Sequence, residues 1–566
     1  MRTIAVLIIL LGAPVHVTIA GHAFSDDAHS GRRITYYVHA EAGNDANKGT
    51  SIESPFQSLA RVNLLELNPG DRVLLASGQV FCGSLVLQNV RGDADHPVVI
   101  SRYTTGKASK DPVIDACGLE AAVVLQNCSF VEVADLYLTA TDKGKKSSND
   151  RAVDKRCGLL VLMDEPGNYS HILLSSLHIE DVFYENPGFS RSLAETRSAN
   201  GTQRYGWGIR VINKEQQAVL KDLRIESCHI ENIGHTGIKL TSWRSGPGTF
   251  GIKDFRITDN IVRASGGPGI QMSGVTGGYI SGNRVERSGS TDDSRKWGRG
   301  SGLWTWSSSH ILIEKNYFLN ANGPGDSAGA HIDFNCSHVI LQYNLSANNA
   351  GGFCEILGNN HNCAYRYNIS VNDGHRVKGE NNAFQEGKIL WLSGYQGKQK
   401  KRDGPFNSYF YNNTIIVNKD IVAKFAIDKA ASGMLIANNI FCIEGETKWV
   451  LGDQYRPDQK GDAAMKNVVF RNNLYLGRYS WPADAPIQDQ QPLVGDPGLA
   501  FTLNSALKDY MPKHKVLIQD AGIEIHPVPG DSIGLNIGLK VEKDILGQPV
   551  TGLPDLGAIE VNQDHF

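Results

Sequence analysis

The stretch VILQYNLS, residues 339–346, is where the fold becomes legible, because its pattern returns along the chain. Apolar residues run up to a polar pair, an Asn closes the run, and apolar residues resume at once. The same pattern reads FRITDNIV (255–262), GYISGNRV (278–285), ILIEKNYF (311–318), AYRYNIS (364–370), YFYNNTII (409–416), MLIANNIF (434–441) and VVFRNNLY (468–475). The aligned residues are Asn260, Asn283, Asn316, Asn344, Asn368, Asn413, Asn439 and Asn473, at spacings of 23, 33, 28, 24, 45, 26 and 34. A short, nearly regular period with variable insertions marks a solenoid, in which each coil adds the same strands while its loops vary. FVEVADLYL (130–138), HILLSSLHI (171–179) and LRIESCHI (223–230) read as the same strand without the Asn. Helical periodicity is absent, and the unit is too short for a propeller blade. The chain is therefore expected to be all-β, a right-handed parallel β-helix whose stacked Asn side chains form an internal amide ladder.

A solenoid needs caps, because its terminal coils expose strand edges and core. SPFQSLARVNLLEL (54–67) supplies a short N-terminal capping helix, with Ser54 as N-cap, Pro55 at the first helical position and Phe56, Leu59, Ala60 and Leu64 as its apolar stripe. Beyond about residue 480 the Asn motif is lost, and a covering C-terminal tail is expected. The predicted organisation is a signal peptide (1–23), an N-terminal cap segment (24–95), the β-helix (96–480), and the last coils with the C-terminal cap (481–566).

The signal reading rests on Arg2, the apolar run IAVLIILLGA (4–13) and small residues for cleavage at Ala20 or Ala23. That run is too short to span a bilayer. A secreted or periplasmic monomer with no membrane span is expected. Lys plus Arg number 56 against 59 Asp plus Glu, which argues against a nucleic-acid partner. Nine Cys cannot all pair within one chain. Cys336, Cys354 and Cys363 recur at similar places in successive repeats and read as buried apolar side chains rather than metal ligands. The basic runs at 143–148 and 398–402 read as solvated loops.

Aligning the strands GIRV, GIKL, GIQM, GLWTW, HIDFN, FCEIL and ILWLS on their second residue gives one outward column of Arg210, Lys239, Gln271, Trp304, Asp333, Glu355 and Trp391. Two residues on lie Ile212, Thr241, Ser273, Trp306, Asn335, Leu357 and Ser393. Six steps make the column about 29 Å long, which suits a chain-like ligand. Trp304 and Trp306 offer apolar platforms for sugar rings, while carboxylates and amides fix hydroxyls. Neighbouring Asp333 and Glu355 are expected to push one pKa upward, so that one stays protonated. Asp373, in a turn reading NDG, reaches the column's edge or is ordinary turn chemistry, and His375 and Arg376 follow it. His331 either contacts sugar and orients Asp333 or is a polar strand start. His235 and Arg244 enter from the side of Arg210 and Lys239, as ligands for acidic groups or as solvated strand ends.

YYVHAEAGNDANKGT (36–50), SPFQSLARVN (54–63) and PGDRVLLASGQVFCGSL (69–85) resemble the N-terminal segment of secreted bacterial β-helix enzymes acting on polysaccharides. The segments HIDFNCSHVILQYNLSANNAGGFCEILG (331–358) and YRYNISVNDG (365–374) resemble the β-helix glycoside hydrolase family that includes pectin-targeting α-L-fucosidases and some xylanases. That resemblance implies two catalytic aspartates, here Asp333 and Asp373, and does not carry the substrate over; Glu355 is expected to tune or replace one of them, and a plant or algal polysaccharide or oligosaccharide is the expected substrate. Trp304, Trp306, His331, Asn335, Gln271, Lys239, Arg210, His235, Arg244, His375, Arg376 and Trp391 are the expected substrate-binding residues. No cofactor and no metal are predicted. Two other readings stand beside it: a polysaccharide lyase using Lys239, Arg244 or His235 on a uronate polymer, with Ca²⁺ then a candidate ion, and a non-catalytic carbohydrate-binding β-helix.

Overall fold

The computed structural model describes residues 33–104, 110–141, 155–199, 201–243, 249–453, 465–502 and 506–561. The signal segment, the basic run at 143–148 and Arg244 lie outside them. Among the described residues, the strands form three long parallel sheets of 14, 14 and 12 strands, wound in succession as a right-handed β-helix. One coil shows the plan: Ile252–Thr258 enters the first sheet, Ile261–Ser265 the second and Ile270–Ser273 the third, and Val275–Ser281 opens the next coil.

The corner between the first and second sheets explains the repeat. Its first residue takes a left-handed conformation, as at Asp259 (φ 57°), Lys315 (φ 57°) and Tyr343 (φ 57°). The Asn that follows is buried and points inward. Asn260, Asn283, Asn316, Asn344, Asn368, Asn413, Asn439 and Asn473 each donate from Nδ2 to Oδ1 of the next, at 2.8–3.0 Å. The ladder ends where Asn473 donates to Asp489 at 2.6 Å. Each amide also closes backbone groups: Asn344 Nδ2 reaches the carbonyls of Ile313 and Gln342, and its Oδ1 accepts from the Asn316 N–H. A buried corner would otherwise strand those groups without partners. Cys228 precedes the ladder at the same position, and its thiol donates to the carbonyls of Leu174 and Glu226 instead.

Columns of Ile, Leu, Val and Phe from all three sheets fill the interior. Cys336, Cys354 and Cys363 are buried there with free thiols, and Cys82 pairs with Cys117. The capping helix forms at Leu59–Val62, shorter and later than predicted. Its N-cap is Ser58, not Ser54, because Phe56 is held extended by backbone bonds with Tyr37 and His39 of the first strand region. Leu64 is 76% exposed and lies off the apolar stripe. At the other end Trp481 plugs the last coil, its ring 4.6 Å from Phe470 and 4.7 Å from Phe425. The tail does more than cap. Tyr510, Ile518, Leu556 and Ile559 run back along the outside of the coils against Ile369, Ile416 and Ile440, while Val528, Leu535 and Val541 cover Tyr409 and Tyr411. Among the described residues, the tail thus packs against the first and second sheets and not against the outer face of the twelve-stranded one.

Candidate functional site

The twelve-stranded sheet carries the predicted column, with one correction of register. Lys239 pairs with Gln271, Gln271 with Trp304, and Glu355 with Trp391, as expected. Trp304, however, pairs with His331 rather than Asp333, and Ile332 pairs with both Thr305 and Ile356. The first column therefore runs Arg210, Lys239, Gln271, Trp304, His331, Glu355, Trp391. Asp333 follows Ile332 into the second column, beside Trp306. The slip is of two residues, which preserves inward and outward faces and so escapes an alternation argument. The first inward residue of this strand is small Ala330, whose partner is Leu303.

The strand Ala330–Ile332 ends before Asp333, and the chain bends there. Phe334 does not follow Ile332 inside. It packs outside, edge-on to Trp306 at 5.9 Å and to Tyr395 at 5.8 Å. Asn335 sits in the turn (φ 63°), where its Oδ1 accepts from Asn359 Nδ2 at 2.8 Å, so its amide serves the corner rather than the groove floor.

Asp333 is 7% exposed. Its Oδ1 accepts from the Phe334 N–H at 2.8 Å and its Oδ2 from the Trp304 indole N–H at 2.8 Å. Both bonds favour the carboxylate, yet burial outweighs them, and the pKa rises to about 7. The second carboxylate is one the sequence reading missed. Asp326, in the loop ANGPGDSAG (321–329) that leads into this strand, accepts two bonds from Arg299, at 2.8 and 3.1 Å. Burial pulls its pKa upward, but the Arg299 guanidinium prevails and holds the carboxyl below its ordinary value. Arg376 braces the same loop, donating to the carbonyls of Gly323 at 2.9 Å and Asp326 at 3.0 Å. The only sequence signal for Asp326 was an acid in a Gly-rich loop immediately before a site strand.

Around this pair, Glu355 lies one coil on from His331. Burial, then the charge of Asp326, pushes its pKa up against the pull of Lys388. Lys388 in turn pairs with Asp453 at 3.0 Å and sits 4.1 Å over the Trp391 ring. His331 is buried, shares a hydrogen bond with Ser301 Oγ at 2.9 Å and lies against Trp304 at 5.4 Å. Burial lowers its pKa to about 4, so it is a neutral imidazole at physiological pH. Trp391 is 5% exposed, packed under Tyr395 and Phe334 rather than open as a platform.

Asp373 is not beside Asp333. It is fully buried at the corner between the second and third sheets, where it takes a rung of a shorter ladder. Its Oδ1 accepts from the N–H and Nδ2 of Asn349, both at 2.9 Å, and its Oδ2 from Ser370 Oγ at 2.7 Å. Burial raises its pKa to about 7, but the carboxyl faces the core. His375 lines two cavities, one of about 340 Å³ with Asn320, Asn322 and Asn348 and one of about 800 Å³ with Trp297 and Arg376. Arg376 is spent on carbonyls, as above.

Toward the N-terminal coils lies a basic half. His235 is buried between Trp297 (4.5 Å, interplanar 10°) and Trp207 (4.2 Å), and Arg210 stacks on Trp207 at 3.8 Å. Burial drives the pKa of both His235 and Lys239 well down. Among the described residues no group of three or more His, Cys, Asp or Glu is placed to hold a metal ion.

Comparison with known proteins agrees with the architecture. A family model described as "Right handed beta helix region" matches residues 207–415. Aligned over 659 positions, the chain is 25% identical to the lacto-N-biosidase of Bifidobacterium longum subsp. longum, covering 97% of this chain and 38% of that protein. The chain thus spans about two fifths of the length of this curated relative. Among solved structures, a GH136 lacto-N-biosidase from Eubacterium ramulus superposes with a TM-score of 0.51 at 21% identity, covering 82% of this chain and 68% of that one. XylC, solved with xylose, superposes with a TM-score of 0.50 at 11% identity, covering 94% and 99%. These two likenesses show the fold.

Proposed function

We propose that the chain is a glycoside hydrolase that cleaves a glycosidic bond of an oligosaccharide in the groove over Trp304, His331 and Asp333. The observation that carries this reading is the pairing of two carboxyls with opposite perturbations. Asp333, lifted to about 7 by burial, holds a proton that an ordinary Asp would have lost. Asp326, clamped by Arg299, stays ionised. Carboxyl groups whose environments push them apart in this way divide the labour of glycoside hydrolysis. Asp333 gives its proton to the leaving oxygen, and Asp326 supplies the negative charge for the oxocarbenium-like transition state, as nucleophile or as base toward water. Arg376 holds the Asp326 loop in place. Trp304 donates to Asp333, and its ring and that of Trp306 give the sugar an apolar wall.

The alignment with a lacto-N-biosidase over nearly the whole chain supports a glycosidase acting on oligosaccharides. It does not favour the narrower expectation of a pectin-derived or other plant or algal polymer. The enzyme is proposed to be exported, since the N-terminal residues read as a signal and the Cys82–Cys117 disulfide suits an oxidising compartment.

The test is turnover of a panel of neutral and acidic oligosaccharides, read both as new reducing ends and as near-ultraviolet absorbance. Reducing ends without absorbance support hydrolysis. Absorbance from an unsaturated product points to elimination and overturns the proposal. Asp333→Asn and Asp326→Asn variants with wild-type circular dichroism are each expected to lose at least a hundredfold in kcat. Full activity in either variant refutes its role.

A further inference from the structure

Resting on the hydrolase reading, we infer that the groove floor at Arg210, Lys239 and Gln271 is a subsite for a carboxylate-bearing sugar, placed away from the scissile bond. These three side chains stand on successive coils in register. Lys239 is 8% and Gln271 5% exposed. No described carboxylate pairs with Arg210 or Lys239, whereas Arg191, Lys296, Arg299, Lys388 and Lys424 elsewhere in the site region each have one.

Polar atoms without partners gather in the same place. Arg210 Nε, Gln271 Oε1, Thr241 Oγ1, Trp207 Nε1 and His235 Nε2 are all shielded from solvent, and none makes a hydrogen bond. Each such atom costs about 1–3 kcal/mol if it stays unsatisfied. Burial beside Arg210 works against a charged Lys239, and an anion bound between them would favour its charged form. Arg210 Nε and Trp207 Nε1 are donors, Thr241 Oγ1 is a hydroxyl and the Gln271 amide can turn to present its NH₂, so four of the five match an oxyanion.

A carboxylate fits better than a compact spherical anion. The Arg210 guanidinium carbon sits 3.8 Å over the Trp207 ring, and a guanidinium has the planar fork that matches the two oxygens of a carboxylate. Thr241, in the adjoining column, adds a hydroxyl for the sugar itself, and Trp243 two residues on is 58% exposed, an aromatic face of the kind sugars stack on. Lys239 lies three coils from His331, roughly 14 Å at the spacing of parallel strands. The acidic sugar would therefore bind a few units from the bond that is cut.

The experiment measures binding to the full-length Asp333→Asn protein, so that it needs no turnover. Calorimetry with trigalacturonate, 3′-sialyllactose and lactose separates a uronate, a sialic acid and a neutral sugar. At least one acidic probe is expected to bind tenfold or more tightly than lactose, and the preference is expected to weaken with added salt. Arg210→Gln and Lys239→Met, made on the same background, are expected to erase it. If either variant misfolds, Gln271→Glu serves instead, because it sets a carboxylate beside Lys239 and occupies the subsite from within. Equal binding of acidic and neutral probes overturns the subsite, as does a preference that survives these substitutions. Neither result touches the assignment of Asp333, which the turnover assay tests separately. An unsaturated product from trigalacturonate with wild-type enzyme would refute both readings, recasting Lys239 as an eliminating base.

Discussion

Trp304→Phe isolates the mechanism most cleanly. The substitution keeps an aromatic ring in the groove but deletes the indole N–H that donates to Asp333 Oδ2 at 2.8 Å. That bond stabilises the ionised carboxyl and works against the burial that lifts Asp333 to about 7. A hydrogen bond to a charged group is worth about 1.5–3 kcal/mol. With 1.36 kcal/mol per pKa unit, its loss should raise the Asp333 pKa by about 1–2 pH units. A proton donor works only while protonated, so wild-type activity falls as pH rises through the Asp333 pKa. In the variant this alkaline limb should move upward, from near 7 toward about 8–9 by that arithmetic. The assay is kcat/KM against pH on whichever oligosaccharide the wild type turns over. Lost stacking will lower the whole profile, but the position of the limb is independent of its height. A limb that stays in place, or moves down, refutes Asp333 as the acid that Trp304 holds.

Three further outcomes follow from the same geometry. Asp333 has a native pKa above its unfolded value, so the unfolded chain loses this proton first, and the group's contribution to stability falls as pH rises from about 4 to 7. Asp333→Asn should remove that fall and raise unfolding free energy at pH 8 by up to ~4 kcal/mol in denaturant titrations; equal slopes in both proteins would contradict it. Asp373→Asn should keep the short ladder, since an amide oxygen can accept from Asn349 as Asn349 itself accepts from the Ala321 N–H, so activity should stay within a few-fold of wild type. A hundredfold loss of kcat in this variant would return Asp373 to the chemistry. Asn344→Ala strands the carbonyls of Ile313 and Gln342 and the N–H of Asn316, and should cost roughly 3–5 kcal/mol of stability by thermal or chemical unfolding.

Some of this protein is written in its sequence and some is not, and the boundary follows physical lines. The coil period and the eight ladder Asn residues were legible, because a buried corner at the same place in every coil imposes the same residue each time. The outward face of the third sheet was legible too, since alternation divides core from surface. What alternation cannot do is distinguish a strand from itself moved by two residues. Asp333 was therefore recognised as a groove residue but set beside the wrong Trp, and the hydrogen bond from Trp304 now crosses between columns. Asp373 and Asn349 illustrate a second limit: an acid in a turn looks the same from the sequence whether its carboxyl faces solvent or the core. Asp326 shows the third. It belongs to no repeat, and only the folding of its loop onto Arg299 and Arg376 brings it to Asp333. The local pattern decided where strands, corners and core lie, because those depend on neighbours within a coil. Which carboxyls meet, and which of them keeps its proton, depends on burial and on charges brought from distant loops, and only the tertiary structure decides that.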